Sequence, residues 1–143
     1  MSGDEWLLEL RGIEKAYEKR GSEGGLSILR GLDLLVRRGE ALAILGPSGS
    51  GKTTLLNLLG ALDRPDSGEV RFDGRDLTRA SDAELARLRS RELGFVFQSH
   101  HLLPHLSLWE NVLLPTLADV ESQVRAAAPE RAARLLRRVG LAG

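Results

Sequence analysis

The segment Gly46-Pro47-Ser48-Gly49-Ser50-Gly51-Lys52-Thr53 constrains this chain more than any other, because it matches the pattern G-x-x-x-x-G-K-[ST]. The apolar run 41–45 before it predicts a short, buried parallel strand. The leucine-rich run 54–59 after it predicts a helix. A glycine-rich turn between a strand and a helix presents the unpaired N–H groups of the first helical turn. The sequence therefore predicts an α/β fold with a phosphate-binding loop (P-loop) at this turn.

Each position of this loop has a predicted role. The glycines let the backbone close on phosphate oxygens, and Lys52 is expected to reach the β- and γ-phosphates as a charge-stabilising group. The Thr53 hydroxyl is predicted to bind Mg²⁺, and Thr54 to add a hydroxyl near the α-phosphate. The predicted nucleotide-binding residues here are Gly46, Pro47, Ser48, Gly49, Ser50, Gly51, Lys52, Thr53 and Thr54. A chance match is expected in roughly one per cent of chains of this length or fewer.

Composition excludes several classes of protein. The 143 residues are 42% hydrophobic and 28% charged, with a formal net charge of +0, which is typical of a soluble globular domain and gives no support to nucleic-acid binding. The absence of cysteine excludes disulfides and thiolate metal sites. The acidic start, residues 1–5, does not resemble a signal peptide, and no apolar run is long enough to span a membrane. A cytoplasmic location is predicted.

Short strands are predicted before the P-loop, at 5–10, 27–29 and 32–36, with a turn at 21–25. No helix separates them, so an antiparallel sheet is expected ahead of the P-loop strand. A further strand is predicted at 69–72, with a tight turn at Asp73-Gly74. Tyr17, the only tyrosine, has two interpretations: a half-buried strand residue, which the pattern alone favours, or a platform for a flat base.

The second half predicts helices and one more strand. Capping boxes at Ser81–Glu84 and Ser107–Glu110 predict helices over 84–91 and from 107 to about 114. A further helix is predicted over 118–138, with a fresh start at Pro129. The apolar run 93–97 predicts a buried strand that ends at Gln98. Gln98 is either a ligand contact at the strand end or a surface residue, and the pattern does not choose between them.

All three histidines, His100, His101 and His105, fall in one short segment. A zinc or copper site is one interpretation of this cluster. No cysteine or carboxylate accompanies the imidazoles, and Pro104 interrupts any helical face that they could share. The pattern therefore argues against a metal site.

Taken together, these motifs resemble the first part of an ATP-binding-cassette (ABC) transporter ATPase, most similar to the lipoprotein-releasing and macrolide-export subfamily. The resemblance covers the chain from about Glu5 onward. It is carried by the segments 39–40, 46–57, 62–70, 93–98, 100–104 and 110–112.

The resemblance implies specific roles. By this resemblance, Tyr17 is the aromatic residue that stacks on adenine. Gln98 is the Q-loop glutamine that joins the Mg²⁺ shell. The implied metal contacts are therefore Thr53 and Gln98. ATP and Mg²⁺ are the implied cofactors. The residues after Gln98, histidines included, would face a membrane-spanning permease, which places the protein at the inner face of the cell membrane. Two ATPase subunits would form a homodimer around ATP.

The resemblance also predicts motifs that residues 1–143 do not contain. These are the Leu-Ser-Gly-Gly-Gln signature, four apolar residues followed by Asp-Glu, and a switch histidine. We therefore expect one ABC-type nucleotide-binding domain, truncated after the Q-loop and the start of the helical subdomain. No catalytic residue is expected in it beyond the auxiliary Gln98 and the charge of Lys52, so hydrolysis by this chain is not expected. Two alternatives stay open: an inactive nucleotide-binding fragment, and a P-loop kinase or GTPase, which the strands before the P-loop disfavour.

Overall fold

The computed structural model describes residues 6–17, 26–99, 101–118 and 122–141, so the predicted turn at 21–25 lies outside the described residues. The chain divides into two compact units, Met1–Leu85 and Ala86–Gly143. The described elements are, in order, β1 (Trp6–Tyr17), β2 (Leu26–Arg37), α1 (Lys52–Leu59), β3 (Ser67–Phe72), β4 (Arg75–Asp76), α2 (Asp82–Arg91), α3 (Leu108–Leu113), a 3₁₀-helix (Leu114–Ala118) and α4 (Ser122–Arg138). Among these residues, no helix is long and apolar enough to cross a bilayer.

The first unit is built on a four-stranded sheet with the order β2-β1-β3-β4. Every pairing is antiparallel, which confirms the antiparallel sheet predicted ahead of the P-loop. The central strand β1 pairs Leu10 with Leu34 of β2 on one side and with Val70 of β3 on the other. The predicted strands 27–29 and 32–36 are a single strand, β2. The pairing of β1 with β2 shifts register between Leu10 and Ile13.

The core of the first unit combines the sheet with the helix after the P-loop. Leu10 and Ile13 of β1 are completely buried, as is Leu58 of α1 to within 1%. Leu58 lines one small cavity together with Val70 and Leu85, so α1, β3 and α2 meet there. The helix predicted at 54–59 is thus confirmed, with Leu55 and Leu58 on its buried side and Leu56 exposed.

The parallel strand predicted at residues 41–45 is wrong. These residues have no regular secondary structure, and Leu45 is 89% exposed. A parallel strand is stable only beside hydrogen-bonded neighbours, which usually come from distant parts of the sequence. Within the described ranges, no strand pairs with 41–45. The backbone N–H and C=O groups of an extended apolar run need hydrogen-bond partners outside the run.

The buried strand predicted at residues 93–97, in the second unit, is also wrong. The segment is irregular, and Phe95, Val96 and Phe97 are exposed. The rings of Phe95 and Phe97 stack on each other, with centroids 5.5 Å apart and an interplanar angle of 1°. The same absence of a paired strand explains this error. Gln98 consequently follows an irregular segment instead of ending a strand.

The helix predictions of the second half are confirmed in type and partly wrong at their boundaries. Ser107 and Glu110 form the predicted capping box, and Ser81 and Glu84 exchange the same kind of hydrogen bonds. The segment Leu114–Ala118, which includes Pro115, continues α3 as a 3₁₀-helix. The predicted break at Pro129 is wrong, because α4 runs through it without interruption. Good helix formers on both sides, such as the alanines at 126–128, maintain the helix although Pro129 lacks an N–H.

Candidate functional site

The P-loop leads directly into α1, whose N-cap is Gly51. Among the described residues no side chain caps this helix end, and its first turn contains no acidic residue. The N–H groups of the first turn therefore have no side-chain acceptor, and the positive end of the helix dipole is not neutralised locally. An anion such as a phosphate is the ligand that this helix end favours.

Gly51 is one position at which the loop requires glycine. Its φ is +86°, and an added Cβ would lie 2.8 Å from Cγ2 of Ile28 and 3.2 Å from Cδ2 of Leu29. Both contacts belong to β2, so the start of α1 lies directly against the antiparallel sheet. The sheet therefore fixes where the start of α1 is held.

Lys52 lies over the loop that precedes it. Its Nζ donates to the carbonyl oxygen of Gly46 at 2.9 Å and to that of Pro47 at 2.6 Å. These contacts keep the ammonium group at the mouth of the loop. The remaining loop residues, Ser48, Gly49 and Ser50, are exposed, which leaves the loop accessible to a ligand.

The two threonines at the start of α1 differ in exposure. Thr53 is exposed and offers a neutral hydroxyl at the helix end, which fits one position of a Mg²⁺ shell completed by phosphate oxygens and water. Thr54 is buried, and its side chain hydrogen-bonds Tyr17. The predicted role of Thr54 at the α-phosphate stays a prediction.

Tyr17 is the last residue of β1 and is 41% exposed. Its hydroxyl donates to Oδ2 of Asp63 at 2.8 Å, and the Nζ of Lys15 lies 5.3 Å from its ring centroid. Lys15 also donates to Oδ1 of Asp63 at 2.8 Å. Tyr17 is thus joined both to the start of α1, through Thr54, and to the turn that follows α1, through Asp63.

The charges of this cluster shift the pKa values of its members. Burial raises the pKa of Tyr17 above 10.0, the hydrogen bond to Asp63 raises it further, and the bond with Thr54 opposes both. Burial alone would raise the pKa of Asp63, but the hydrogen bonds from Lys15 and Tyr17 outweigh it and hold that pKa below 3.8. Burial would likewise lower the pKa of Lys15, yet Asp63 and Asp66 raise it above 10.5. At neutral pH the cluster therefore contains an ammonium, a carboxylate and a neutral phenol.

The sequence did not single out Lys15 or Asp63 as site residues. Lys15 is only 9% exposed, which is unusual for a lysine. One signal was available, because Lys15 and Tyr17 are two residues apart on a strand and such residues share a face. Asp63 lay in a cluster of turn residues and gave no separate signal.

Gln98 lies in the second unit, in the irregular segment before His101, and is exposed. The ring of His101 contacts Phe97 edge to face, with centroids 4.8 Å apart, and His100 lies outside the described residues. Over the described ranges, no group of three or more His, Cys, Asp and Glu side chains is arranged to hold a metal ion. The structure thus brings Tyr17 and the P-loop residues together in the first unit, and the role of Gln98 stays a prediction.

Curated proteins that this chain is similar to include several lipoprotein-releasing ATP-binding proteins. The "Lipoprotein-releasing system ATP-binding protein LolD" of Roseobacter denitrificans is 46% identical over 95% of this chain and 59% of its own length. The LolD protein of Geobacter metallireducens is 48% identical with the same coverage, and that of Bdellovibrio bacteriovorus is 51% identical over 91% of this chain and 57% of its own length. The chain therefore spans less than two thirds of the length of the curated relatives it matches.

Two solved structures give the same result at the level of the fold. The dimeric post-hydrolysis structure of the ATP-binding cassette MJ0796 bound to ADP and Pi has a TM-score of 0.81 and 35% identity, and covers 93% of this chain and 57% of its own. A second dimeric structure of MJ0796, a bacterial ABC transporter cassette, has a TM-score of 0.80 and 34% identity. These matches confirm the predicted ABC ATPase fold class, and the antiparallel sheet of the first unit is consistent with it.

The model of the ABC transporter family matches residues 29–143, which is most of the chain. The match contains the whole P-loop, with Lys52 and Thr53, and extends through the second unit. With the exposed phosphate loop at the start of α1 and the LolD relatives, it leads to one conclusion: the chain belongs to the ABC transporter family.

Proposed function

We propose that this chain is the ATP-binding part of an ABC transporter subunit of the lipoprotein-releasing type. The observation that carries the proposal is the P-loop at the start of α1, with no side-chain cap and with Lys52 at its mouth. The LolD relatives and the nucleotide-bound MJ0796 cassette support it. Family membership argues against the kinase or GTPase alternative.

In the proposed complex, the backbone N–H groups of the P-loop, all except that of Pro47, which has none, surround the phosphates of ATP. Lys52 neutralises the charge of the β- and γ-phosphates, and Thr53 supplies one hydroxyl to Mg²⁺. A Mg²⁺ ion held by Thr53 would supply electrophilic polarisation of the terminal phosphate. Tyr17 stacks on the adenine ring, and Gln98 is the proposed Q-loop glutamine of the Mg²⁺ shell. ATP hydrolysis and its coupling to transport are proposed for the whole subunit, with residues 1–143 as part of one nucleotide-binding domain.

The partners are proposed by the same reasoning. The solved MJ0796 cassettes are dimeric, which supports a homodimer of ATPase subunits. The segment after Gln98 exposes the apolar side chains of Leu102, Leu108 and Trp109, which a permease subunit of the membrane would cover in the proposed complex. We accordingly place the subunit in the cytoplasm, at the inner face of the cell membrane.

The phosphate-binding part of the proposal is tested with Lys52→Ala. Removing the ammonium leaves the triphosphate less neutralised, so the loss should be on the order of 1.5–3 kcal/mol, or one to two powers of ten in Kd. Calorimetry with Mg-ATP measures it. Arg30→Ala is the matched control, since it removes one exposed positive charge of β2 elsewhere in the same unit. Equal ATP affinities of wild type and Lys52→Ala would contradict the assignment.

The base-binding part is tested with Tyr17. Tyr17→Ala should weaken ATP binding while leaving tripolyphosphate binding unchanged, because only ATP carries a base. Tyr17→Trp should preserve ATP binding, since indole also offers a stacking face. A parallel fall in both affinities for Tyr17→Ala would show damage to the fold and would contradict stacking.

A further inference from the structure

One carboxylate connects Tyr17 to a buried lysine. Asp63 accepts hydrogen bonds from Lys15 through Oδ1 and from the Tyr17 hydroxyl through Oδ2, each at 2.8 Å. Lys15 and Tyr17 share one face of β1, and the Lys15 ammonium lies over the Tyr17 ring. The side chain of Tyr17 is therefore held at its hydroxyl by the carboxylate of Asp63 and along one face of its ring by the ammonium of Lys15.

The ammonium of Lys15 is well compensated in this place. Besides Asp63, its Nζ donates to the carbonyl oxygen of Arg64 at 2.6 Å and lies 3.6 Å from Oδ1 of Asp66. A lysine that is only 9% exposed needs such partners, because an unpaired buried charge is strongly unfavourable. Asp63 in turn accepts the N–H of Arg64 at 2.7 Å, so both ions are fixed by backbone as well as by each other.

The backbone around Tyr17 is fixed by the same turn. The N–H of Ala16 donates to Oδ2 of Asp66 at 2.7 Å, and the N–H of Asp66 donates to the carbonyl oxygen of Glu14 at 2.9 Å. The turn at 63–66 follows α1, the helix that begins at the P-loop. The aromatic ring and the P-loop are thus both connected to α1, the ring through the turn after the helix and the loop at the start of the helix.

We propose that Lys15 and Asp63 are positioning residues that hold the Tyr17 ring ready to stack on the base of a nucleotide whose phosphates bind the P-loop. This inference rests on the proposed function. A partly exposed tyrosine samples several rotamers in the free protein, and ordering it on binding reduces affinity. Lys15 and Asp63 remove that disorder before the nucleotide arrives. They act through Tyr17 and do not themselves contact the ligand.

The first test compares ATP with tripolyphosphate as ligands of the full 143-residue chain. Asp63→Asn and Lys15→Met should each weaken ATP binding about 3- to 10-fold, the effect of one side chain that must be ordered on binding. Tripolyphosphate binding should be unchanged, because the loop at 46–53 is intact. Glu9→Gln is the matched control: it removes another buried carboxylate of β1, paired with Arg11 instead of Tyr17. It should change neither affinity.

The second test uses Tyr17 as its own reporter, since the chain has a single tyrosine. Its phenol is titrated by ultraviolet absorbance in the protein without ligand. Burial has the largest effect on the pKa of Tyr17 and raises it. Asp63 raises this pKa further, whereas Thr54 and Lys15 lower it. Asp63→Asn should therefore lower this pKa, and Lys15→Met should raise it. A general loss of structure would instead move both variants toward the ordinary value of a tyrosine.

A double-mutant cycle completes the design. Tyr17→Phe keeps the ring but removes the bond to Asp63, so Asp63→Asn should have a smaller effect on ATP binding in that background. The proposal is overturned if both variants reduce ATP and tripolyphosphate affinity equally, or if neither changes the ATP affinity of a wild type that binds. If wild type itself binds no ATP, the proposed function fails, and this inference fails with it.

Discussion

Some apolar segments of this chain form paired strands with buried side chains, whereas others are irregular and exposed. The strand β1 pairs with β2 on one side and with β3 on the other, and Leu10 and Ile13 of β1 are completely buried. The segments 41–45 and 93–97 are just as apolar, but they form no strand and expose Leu45 and Val96. The difference shows that apolar sequence specifies a strand only where a hydrogen-bonding partner is available.

The largest expected contrast is in amide hydrogen exchange. Amides of Leu10 and Leu34, which are paired in the sheet, should exchange more slowly than those of Val96 and Phe97 by about three powers of ten or more. The reason is that the sheet amides exchange only after the strands separate, whereas the others are open to water. Exchange measured by NMR or mass spectrometry gives the comparison. Equal protection in both regions would mean that 93–97 does find a partner in solution.

A substitution in each region gives the next largest contrast. Leu10→Ala removes a completely buried side chain and should lower the free energy of unfolding by about 2–5 kcal/mol. Leu45→Ala removes the same atoms at an exposed position and should change it by no more than about 0.5 kcal/mol. Urea titration of both variants measures the difference. A large loss for Leu45→Ala would show that 41–45 is packed against a surface.

Two glycines extend the comparison to the backbone. An added Cβ at Gly68, where φ is +92°, would lie 2.5 Å from the carbonyl oxygen of Gly12 and 2.6 Å from that of Arg11. Gly68→Ala should therefore destabilise the pairing of β1 with β3 by about 1–3 kcal/mol. At Gly94, in the unpaired segment, an added Cβ meets no atom within 4 Å. Gly94→Ala is the matched control, and a similar loss there would remove the contrast.

The smallest predicted effect is a pH dependence at the end of β1. The pKa of Asp63 is lower in the folded protein than its ordinary value of 3.8, so its contribution to stability is present above pH 3.8 and is lost as the pH falls through the folded-state value. The unfolding free energies of wild type and Asp63→Asn should thus differ by a constant amount near neutral pH and converge in acid. Urea unfolding at several pH values measures this. A difference that persists unchanged to the lowest pH would rule out a contribution from the carboxylate charge.

Local signals account for what the sequence predicted well. The P-loop, the capping residues Ser81 and Ser107, and the alternating strands depend on residues close together in the chain. The errors at 41–45 and 93–97 arise because strand pairing is non-local. The predicted break at Pro129 is wrong because the helix-forming residues on both sides outweigh the effect of one proline. The cluster of Lys15, Asp63 and Tyr17 also escaped prediction, since its members approach only when β1 is paired and α1 is folded.

The pairing of β1 with β3 has a consequence for the order of events during synthesis. Leu8 of β1 pairs with Phe72 of β3, and the P-loop lies in the chain between these two partners. As the chain leaves the ribosome, β1 and β2 can form a hairpin early, but β1 waits for its other neighbour until Phe72 has emerged. Closing so long a segment is slow relative to forming a hairpin. During this interval the nascent P-loop is therefore expected to lack the completed sheet. A nucleotide that binds the P-loop only when β1 is paired with β3 would favour the paired state by mass action.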